Sequence, residues 1–206
     1  MNRERIVAAA VDIADAEGLE AISMRRVADA LGFGVMSLYN HVASKDDLLE
    51  EMVDAALAAV DPPVEASWRD DVTAVAVATK EALTAHGWAT LLWPLTFPGP
   101  ERWRLAERLL RALQGGGLPD AATDLGFHLV VNHMVGHSHL ASGYAASRIS
   151  ESVGRERFLR EVTAERFPAM DAHARFHGTE AAGRRPDEFR YVLDLILDGI
   201  AGPEQP

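Results

Sequence analysis

The chain contains no cysteine, which excludes disulfide bonds, thiolate nucleophiles and thiolate metal sites. It also lacks a long uninterrupted apolar run, because the first helical pattern already mixes apolar residues with Asp12, Asp15 and Glu17. A secretory signal or a membrane-spanning helix is therefore not predicted. Alternating apolar and polar segments are missing as well, so no β-sheet is expected. These absences fit a cytoplasmic all-α protein without requiring one.

Residues 23–49, SMRRVADALGFGVMSLYNHVASKDDLL, contain two short helical patterns around a glycine-containing turn. Ser23 is suited to cap the first helix, and Gly32-Phe33-Gly34 breaks the pattern before a second helix from Val35 to His41. Supporting helix, turn and short second helix are typical of a helix-turn-helix, whose second helix enters the DNA major groove.

A third helix is predicted immediately afterwards. Ser44 and Asp47 have the spacing of a capping box, and the apolar positions that follow extend to Val60. Within the short second helix, Leu38 and Val42 are one turn apart and are predicted core anchors.

Residues 3–60 carry a longer pattern in which this motif is embedded. It comprises Ile6, Ala10 and Ala14, Glu17-Gly18-Leu19, Met24-Arg25-Arg26-Val27-Ala28, Leu31-Gly32, Ser37-Leu38-Tyr39-Asn40-His41-Val42 and Lys45-Asp46-Asp47-Leu48-Leu49. The pattern resembles the TetR-type bacterial transcriptional regulators. The resemblance implies a three-helix DNA-binding head at residues 1–48, with a linking helix to about residue 60. The positions that it places near DNA are Met24, Arg25, Val35, Met36, Ser37, Tyr39, Asn40, His41 and Lys45.

The net charge runs against this expectation. The chain has 20 Lys and Arg against 31 Asp and Glu, a formal charge of −11, whereas nucleic-acid binders usually carry a basic patch. The position of the positive charges matters more for DNA binding than the net charge. Predicted helix starts, where free N–H groups already favour phosphate, carry Arg25, Arg26 and Lys45. We expect modest affinity per head, strong salt dependence and a need for two heads.

The remaining chain, residues 61–206, resembles the C-terminal domain of the tetracycline-repressor subgroup. The resemblance is carried by His86-Gly87-Trp88-Ala89, Gly99-Pro100, Gly117-Leu118 and Leu193-Asp194-Leu195-Ile196-Leu197-Asp198-Gly199-Ile200. It implies a larger helical domain for ligand binding and dimerisation, separated from the head by Pro62-Pro63. Helices are predicted at 68–86, 88–95, 101–114, 118–146 and after Pro186, with His173 and His177 in a loop.

Aromatic residues and a few polar groups in this part indicate a small-molecule pocket. Ordinary core packing is the alternative for the apolar members. His133 and His137, four residues apart, share a helical face and have the spacing of a metal pair, but the His-Glu-x-x-His motif is absent and packing in the core or an interface is favoured. No metal or cofactor is predicted. The candidate ligand-binding residues are Trp88, Leu92, Trp93, Phe97, Trp103, His128, Asn132, His133 and His137.

The sequence therefore predicts a homodimeric DNA-binding transcriptional regulator, by resemblance a repressor, released from a pseudopalindromic operator by a small molecule. The 118–146 helix and the last helix, with their symmetry mates, would form the dimer interface; burial inside a monomer is the alternative. An enzyme is disfavoured because no nucleophile, base and orienting group occur at readable spacing. A helical ligand carrier or protein-binding module without operator binding remains open, because the head is acidic and its second helix begins with Val35 and Met36.

Overall fold

A computed structural model describes residues 2–145, 156–158, 160–177 and 187–202. The described part is helical and contains no β-strand, which confirms the predicted all-α class. None of its helices is both long and apolar enough to cross a bilayer. In chain order the helices are α1 Arg3–Glu17, α2 Met24–Leu31, α3 Val35–Tyr39, α4 Lys45–Leu57, α5 Trp68–Ala85, α6 Gly87–Leu92, α7 Pro100–Gly115, α8 Asp120–Ala145, α9 Pro168–His177 and α10 Glu188–Ala201.

Local signals determine where the N-terminal helices begin and end. The Ser23 hydroxyl accepts the backbone N–H of Arg26, and Ser44 accepts that of Asp47, so both predicted N-caps are confirmed. Gly32 ends α2 in the left-handed region, with φ of 73°. The N–H groups of Gly32 and Phe33 bond back to the carbonyls of Asp29 and Ala28, which is a Schellman closure.

The first four helices pack around one apolar centre. Leu38 and Val42 are completely buried, which confirms both as anchors of the short helix α3. Around them lie buried side chains of α1, α2 and α4, including Ile6, Val27 and Leu48. Because α3 has only five residues, this burial rather than its own hydrogen bonds must hold it in place.

Helix α4 ends at Leu57, three residues before the predicted end at Val60. Prolines restrict the residue before them to extended conformations, so the chain leaves the helix ahead of Pro62-Pro63. Two arginines of α7 bind the chain between α4 and α5. The guanidinium of Arg104 donates to the carbonyl of Val60 at 2.8 Å, and that of Arg108 donates to the carbonyl of Pro63 at 2.8 Å.

Helices α5, α7, α8 and α10 form the larger helical body. Helix α5 packs against α7 and α8, and α10 lies across α8 and contacts α5. Helix α10 carries an apolar stripe in which Phe189, Leu193 and Leu197 are buried. Gly126 allows the close approach of α8 and α10, because a Cβ there would lie 2.8 Å from Cδ1 of Ile200.

The segment around His173 and His177 differs from the prediction. It forms the helix α9 rather than a loop. Pro168 occupies the first helical position, where its missing N–H costs no hydrogen bond. Much of the polar stretch 149–183 lies outside the described residues.

Candidate functional site: a recognition helix and a cavity in the helical body

The outer surface of α3 is the candidate DNA interface. Met36 is 77% exposed and Tyr39 is 44% exposed, and Asn40 is exposed as well. Val35, Ser37 and His41 are half-buried, so they flank this surface rather than form its centre. The arrangement presents one amide, one phenol and one apolar tip, which are groups suited to adenine, phosphate and a thymine methyl.

Met24 has to be corrected as a candidate DNA contact. Its side chain is only 7% exposed and packs in the core of the head, so it cannot reach a duplex. The other two candidates outside α3 are available. Arg25 is strongly exposed, and its guanidinium comes no closer than 3.9 Å to Asp29. Lys45 is exposed at the first position of α4.

Arg3 fixes the end of α3 to the linking helix α4. Its guanidinium donates to the carbonyl of His41 at 3.0 Å and to Asp47 at 2.7 Å, and it also pairs with Glu51 at 2.8 Å. One side chain of α1 thus holds both the chain after α3 and the first turns of α4. The position of α3 therefore follows that of α4.

Ion pairs offset part of the negative charge of the head. Arg3 pairs with both Asp47 and Glu51, and Arg26 pairs with Glu17. Within the described part of the chain Lys45 forms no ion pair, so its charge stays available to an external anion. The start of a helix adds free N–H groups and a favourable dipole at that point.

A cavity of about 240 Å³ lies in the helical body between α5, α7 and α8. Two of the predicted ligand-binding residues, Trp93 and Trp103, line it. Phe127, Val131 and Met134 of α8 supply much of the opposite, apolar wall. The remaining lining residues are Thr79, Pro98, Arg102, Leu105, Ala106 and Leu109.

Two polar groups of this cavity were not predicted as site residues. Thr79 is 1% exposed, and its hydroxyl has no partner among the described residues. Arg102 stacks on Trp93, with its guanidinium carbon 4.3 Å from the ring centroid, and donates to the carbonyls of Trp93 and Thr96 at 3.0 and 3.2 Å. Burial lowers the pKa of Arg102, although the charge of Asp54 opposes this. The guanidinium is thus a charged group in a mainly apolar wall.

The other predicted aromatic and apolar residues are distributed around this cavity rather than within it. Trp88 is buried at the junction with the head, where its indole Nε1 donates to Asp15 of α1 at 2.6 Å. Leu92 is ordinary core. Phe97 is exposed, with its ring 6.2 Å from that of Trp103 at the rim of the cavity.

The polar candidates on α8 point in three directions. His128 is exposed and lies near Asp124, whereas Asn132 lines a separate cavity of about 410 Å³ between α6 and α8. His133 and His137 face α10 instead. His133 stacks on Phe189 with ring centroids 4.5 Å apart, and its Nε2 lies 2.9 Å from the carbonyl oxygen of that residue. Of the two alternatives for His133 and His137, the structure therefore shows packing between α8 and α10 rather than a place in the cavity beside Trp93.

His137 gives a pH-dependent prediction. Burial lowers its pKa below the ordinary value near 6.5, and the charges of His133 and Lys80 lower it further, against Glu188 and Asp187. The unfolded chain therefore binds this proton more readily. The stability that neutral His137 contributes is fully present above about pH 6.5. It is lost as the pH drops towards the pKa of His137 in the folded protein. Urea unfolding should show that the free energy of unfolding falls less between pH 7.5 and 5.5 in His137→Gln than in the wild type. His128→Gln, an exposed control, should show the same fall as the wild type.

The joint between α4 and α7 connects the two candidate sites. The carboxylate of Asp54 accepts the N–H of Glu101 at 2.9 Å and that of Arg102 at 3.1 Å. It comes close because Gly99 has no side chain: a Cβ there would lie 2.6 Å from Cγ of Asp54. Arg102, which lines the cavity, is thereby bonded through its backbone N–H to α4, the helix that links the head to the helical body.

Sequence reasoning missed three members of these sites. Thr79 gave a signal, since it is a polar residue in the apolar stripe of α5. Arg102 lies on a helix with several other arginines and looked like a solvated side chain. Asp54 had no local signal, because its partners are 47 and 48 residues away in the chain.

Comparison with known proteins agrees with this geometry. A family model described as bacterial regulatory proteins of the tetR family matches residues 6–52, and one described as a tetracyclin repressor-like C-terminal domain matches residues 61–202. An HTH-type transcriptional regulator of Saccharopolyspora erythraea is 34% identical, covering 84% of this chain and 71% of its own length. The transcriptional repressor DrrR1 of Streptomyces coeruleorubidus is 32% identical, covering 97% and 77%.

Solved structures show the same architecture over nearly the whole chain. The Streptomyces coelicolor TetR family protein ActR, in complex with actinorhodin, superposes with a TM-score of 0.80 at 29% identity, covering 97% of this chain and 95% of that one. Both parts of the chain match models of one family, and the head has the helix-turn-helix that the family uses. The chain belongs to the TetR family of bacterial transcriptional regulators.

Proposed function

We propose that the protein is a dimeric repressor that binds a pseudopalindromic operator and is released from it by a small molecule. The observation that carries the proposal is the exposed face of α3, which a buried Leu38–Val42 anchor and Arg3 hold on α4. The family consists of regulators rather than enzymes, and we propose that the protein acts by binding alone. Operator DNA is cytoplasmic in bacteria, so we place its action there.

We assign the DNA-binding head to residues 1–48, with α4 as the link, and the ligand-binding and dimerisation part to 61–206. In the head, Asn40 is suited to bidentate recognition of adenine and Tyr39 to a phosphate. Arg25 and Lys45 supply the positive charges that fix the duplex against the head. This division of roles separates residues that select a sequence from residues that provide affinity.

Dimerisation is supported by an uncovered apolar surface on the helical body. Leu125, Leu129 and Leu140 are exposed on α8, as are Tyr191 and Leu195 on α10. Such a surface on two adjacent helices is suited to self-association, where a two-fold axis pairs each helix with its own copy. We propose that α8 and α10 of two chains form a four-helix interface that sets the spacing of the heads.

We propose that the α4–α7 joint carries the signal. A ligand in the 240 Å³ cavity would contact Arg102, whose own N–H is bonded to Asp54 of α4. Arg104 and Arg108 attach the chain after α4 to the same helix α7. A shift of α7 therefore moves both α4 and the chain that follows it. A ligand that favours one position of α7 changes the head separation, with a typical coupling of about 1–3 kcal/mol.

The apolar tip of α3 predicts recognition of a thymine methyl. Met36 has no donor or acceptor suited to a base edge, but its exposed thioether side chain can cover a methyl group in the major groove. Replacing the contacted thymine by uracil removes only that methyl. We expect about fourfold weaker binding per half-site and about 15-fold per dimer. Titration of single thymine-to-uracil operators should identify the position, and Met36→Ala should lose this discrimination.

The test of the proposed function is selection of bound sequences from a randomised DNA pool with the purified protein at stated salt. An enriched inverted repeat supports the operator model and supplies a probe for ligand screening. No enrichment at low or moderate salt would contradict it and favour the alternative, a ligand carrier or protein-binding module, for which the exposed apolar Met36 is the motivating feature.

A further inference from the structure

The cavity between α5, α7 and α8 has a chemical character that narrows its ligand. Its walls are largely apolar and include the rings of Trp93, Trp103 and Phe127. At about 240 Å³ it is at the small end for ligand sites, and it admits one compact molecule rather than a long flexible chain. Aromatic walls favour a planar ring system, since stacked or edge-to-face contacts add to burial.

The guanidinium of Arg102 supplies a positive charge that has no direct ion pair, although the charge of Asp54 acts on it from farther away. Its three hydrogen bonds go to neutral acceptors, namely the carbonyls of Trp93 and Thr96 and the hydroxyl of Thr96. Among the described residues no carboxylate lies within ion-pair distance of it. Three of its five N–H groups are used in these bonds, which leaves two for a ligand. A half-buried cation without an ion-pair partner has lost part of its hydration, and an anionic ligand can compensate for that loss.

Thr79 supplies a second recognition point. Thr84, Thr90 and Thr96 each donate their hydroxyl to a backbone carbonyl in the preceding turn. Thr79 does not, although its side chain is the most deeply buried of the four. A buried hydroxyl without a partner is costly, and this one lines the cavity. It is therefore placed to exchange a hydrogen bond with a polar atom of the ligand.

We propose that the effector is a compact planar aromatic acid, whose ionised oxygen binds Arg102 and whose second oxygen bonds to Thr79. This inference rests on the proposed function only in calling the ligand an effector. Binding itself is a property of the cavity and is measured without DNA. Arg102 is the specificity-determining residue, because a neutral analogue leaves its charge unpaired.

The test uses a matched pair of probes, 6-hydroxy-2-naphthoate and 6-hydroxy-2-naphthamide, which differ in charge but hardly in shape. Calorimetric titration of the full-length protein should show the acid binding at least about tenfold more tightly than the amide. A saturated decalin carboxylate should bind several-fold more weakly than the aromatic acid. These three measurements need no variant, so they decide the matter even where a substitution impairs folding.

Variants then assign the contacts. Arg102→Gln should bring the acid-to-amide ratio close to one, whereas Arg111→Gln, an exposed arginine of the same helix, should leave it unchanged. Thr79→Val should weaken the hydroxylated acid but not 2-naphthoate, which lacks the second oxygen. The proposal is overturned by equal binding of acid and amide to the wild type, by no binding of any probe at millimolar concentration, or by an unchanged ratio in Arg102→Gln.

A second arm separates this proposal from the repressor model. The acid is added to the protein bound to its selected operator. Binding of the acid to free protein without release of DNA supports the ligand class and contradicts ligand-controlled repression. Operator binding together with equal affinity for acid and amide keeps the regulator and removes the ligand class.

Discussion

Changing Tyr39 and Lys45 together to alanine is expected to weaken operator binding by about 100- to 1000-fold. Each dimer loses two phenols and two ammonium groups, and contacts of this kind are worth about 1 kcal/mol each. Both side chains are exposed, so the fold and the dimer should persist. Losing the two charged phosphate contacts, those of Lys45, should also reduce the slope of log affinity against log salt by about 1.8. Fluorescence anisotropy with the selected operator at several salt concentrations measures both quantities.

Arg111→Ala is the matched control for this experiment. It also removes one exposed positive charge per chain, but from α7, away from the proposed interface. Its affinity and salt slope should stay within about twofold of the wild type, because distant charges are screened. A double variant that keeps full affinity and slope would place the DNA-binding surface elsewhere on the molecule.

Sequence reasoning succeeded where the determinants are local. Ser23, Gly32 and Ser44 act on backbone groups within five residues, so the ends of α2 and the start of α4 were predicted. The burial of Leu38 and Val42 followed from their spacing on one face. The end of α4 was placed three residues late, because its apolar pattern continues past Leu57 while the following prolines favour an extended chain.

Prediction was incomplete where a side chain could suit several environments. His133 and His137 share a helical face, which fits a packed interface best and also allows a pocket or, less well, a metal pair. The choice depends on Phe189, 56 residues after His133, whose ring and carbonyl occupy that face. Arg102 illustrates the opposite error, because a long charged side chain on a helix is usually solvated, whereas here Trp93 and Thr96 at the end of α6 partly cover it.

Met24 shows a limit of transferring positions by resemblance. Its place at the start of the supporting helix suggested proximity to DNA, and the backbone is indeed at that helix end. The side chain nevertheless turns into the core, because Met24 shares one helical face with the buried Val27 and Ala28. The family pattern predicts that the backbone at Met24 lies near DNA. It does not predict that the side chain contacts DNA.

The largest expected loss of stability comes from Asp71. Its carboxylate is nearly buried and accepts from Arg108 at 2.7 Å and from the N–H of Glu65 at 3.2 Å. Asp61 approaches Arg108 only to 3.9 Å and is exposed, so it cannot replace this partner. Asp71→Ala therefore leaves the largely buried guanidinium of Arg108 without a close carboxylate. We expect the free energy of unfolding to fall by about 3 kcal/mol, and Tm to fall by about 6–12 °C.

A double-mutant cycle separates the pair from general damage to α5 and α7. Arg108→Ala alone should also be costly, but the double variant should be at least about 2 kcal/mol more stable than the sum of the two single losses predicts, because no unpaired charge remains. Glu107→Ala breaks an exposed pair with Arg111 on the same helix and should cost under about 0.5 kcal/mol. Additive losses in the cycle, or equal losses for Asp71→Ala and Glu107→Ala, would mean that solvent already screens the Asp71–Arg108 pair. Since Arg108 also binds the carbonyl of Pro63, a strong coupling would show that this pair holds the connection between α4 and the helical body in place.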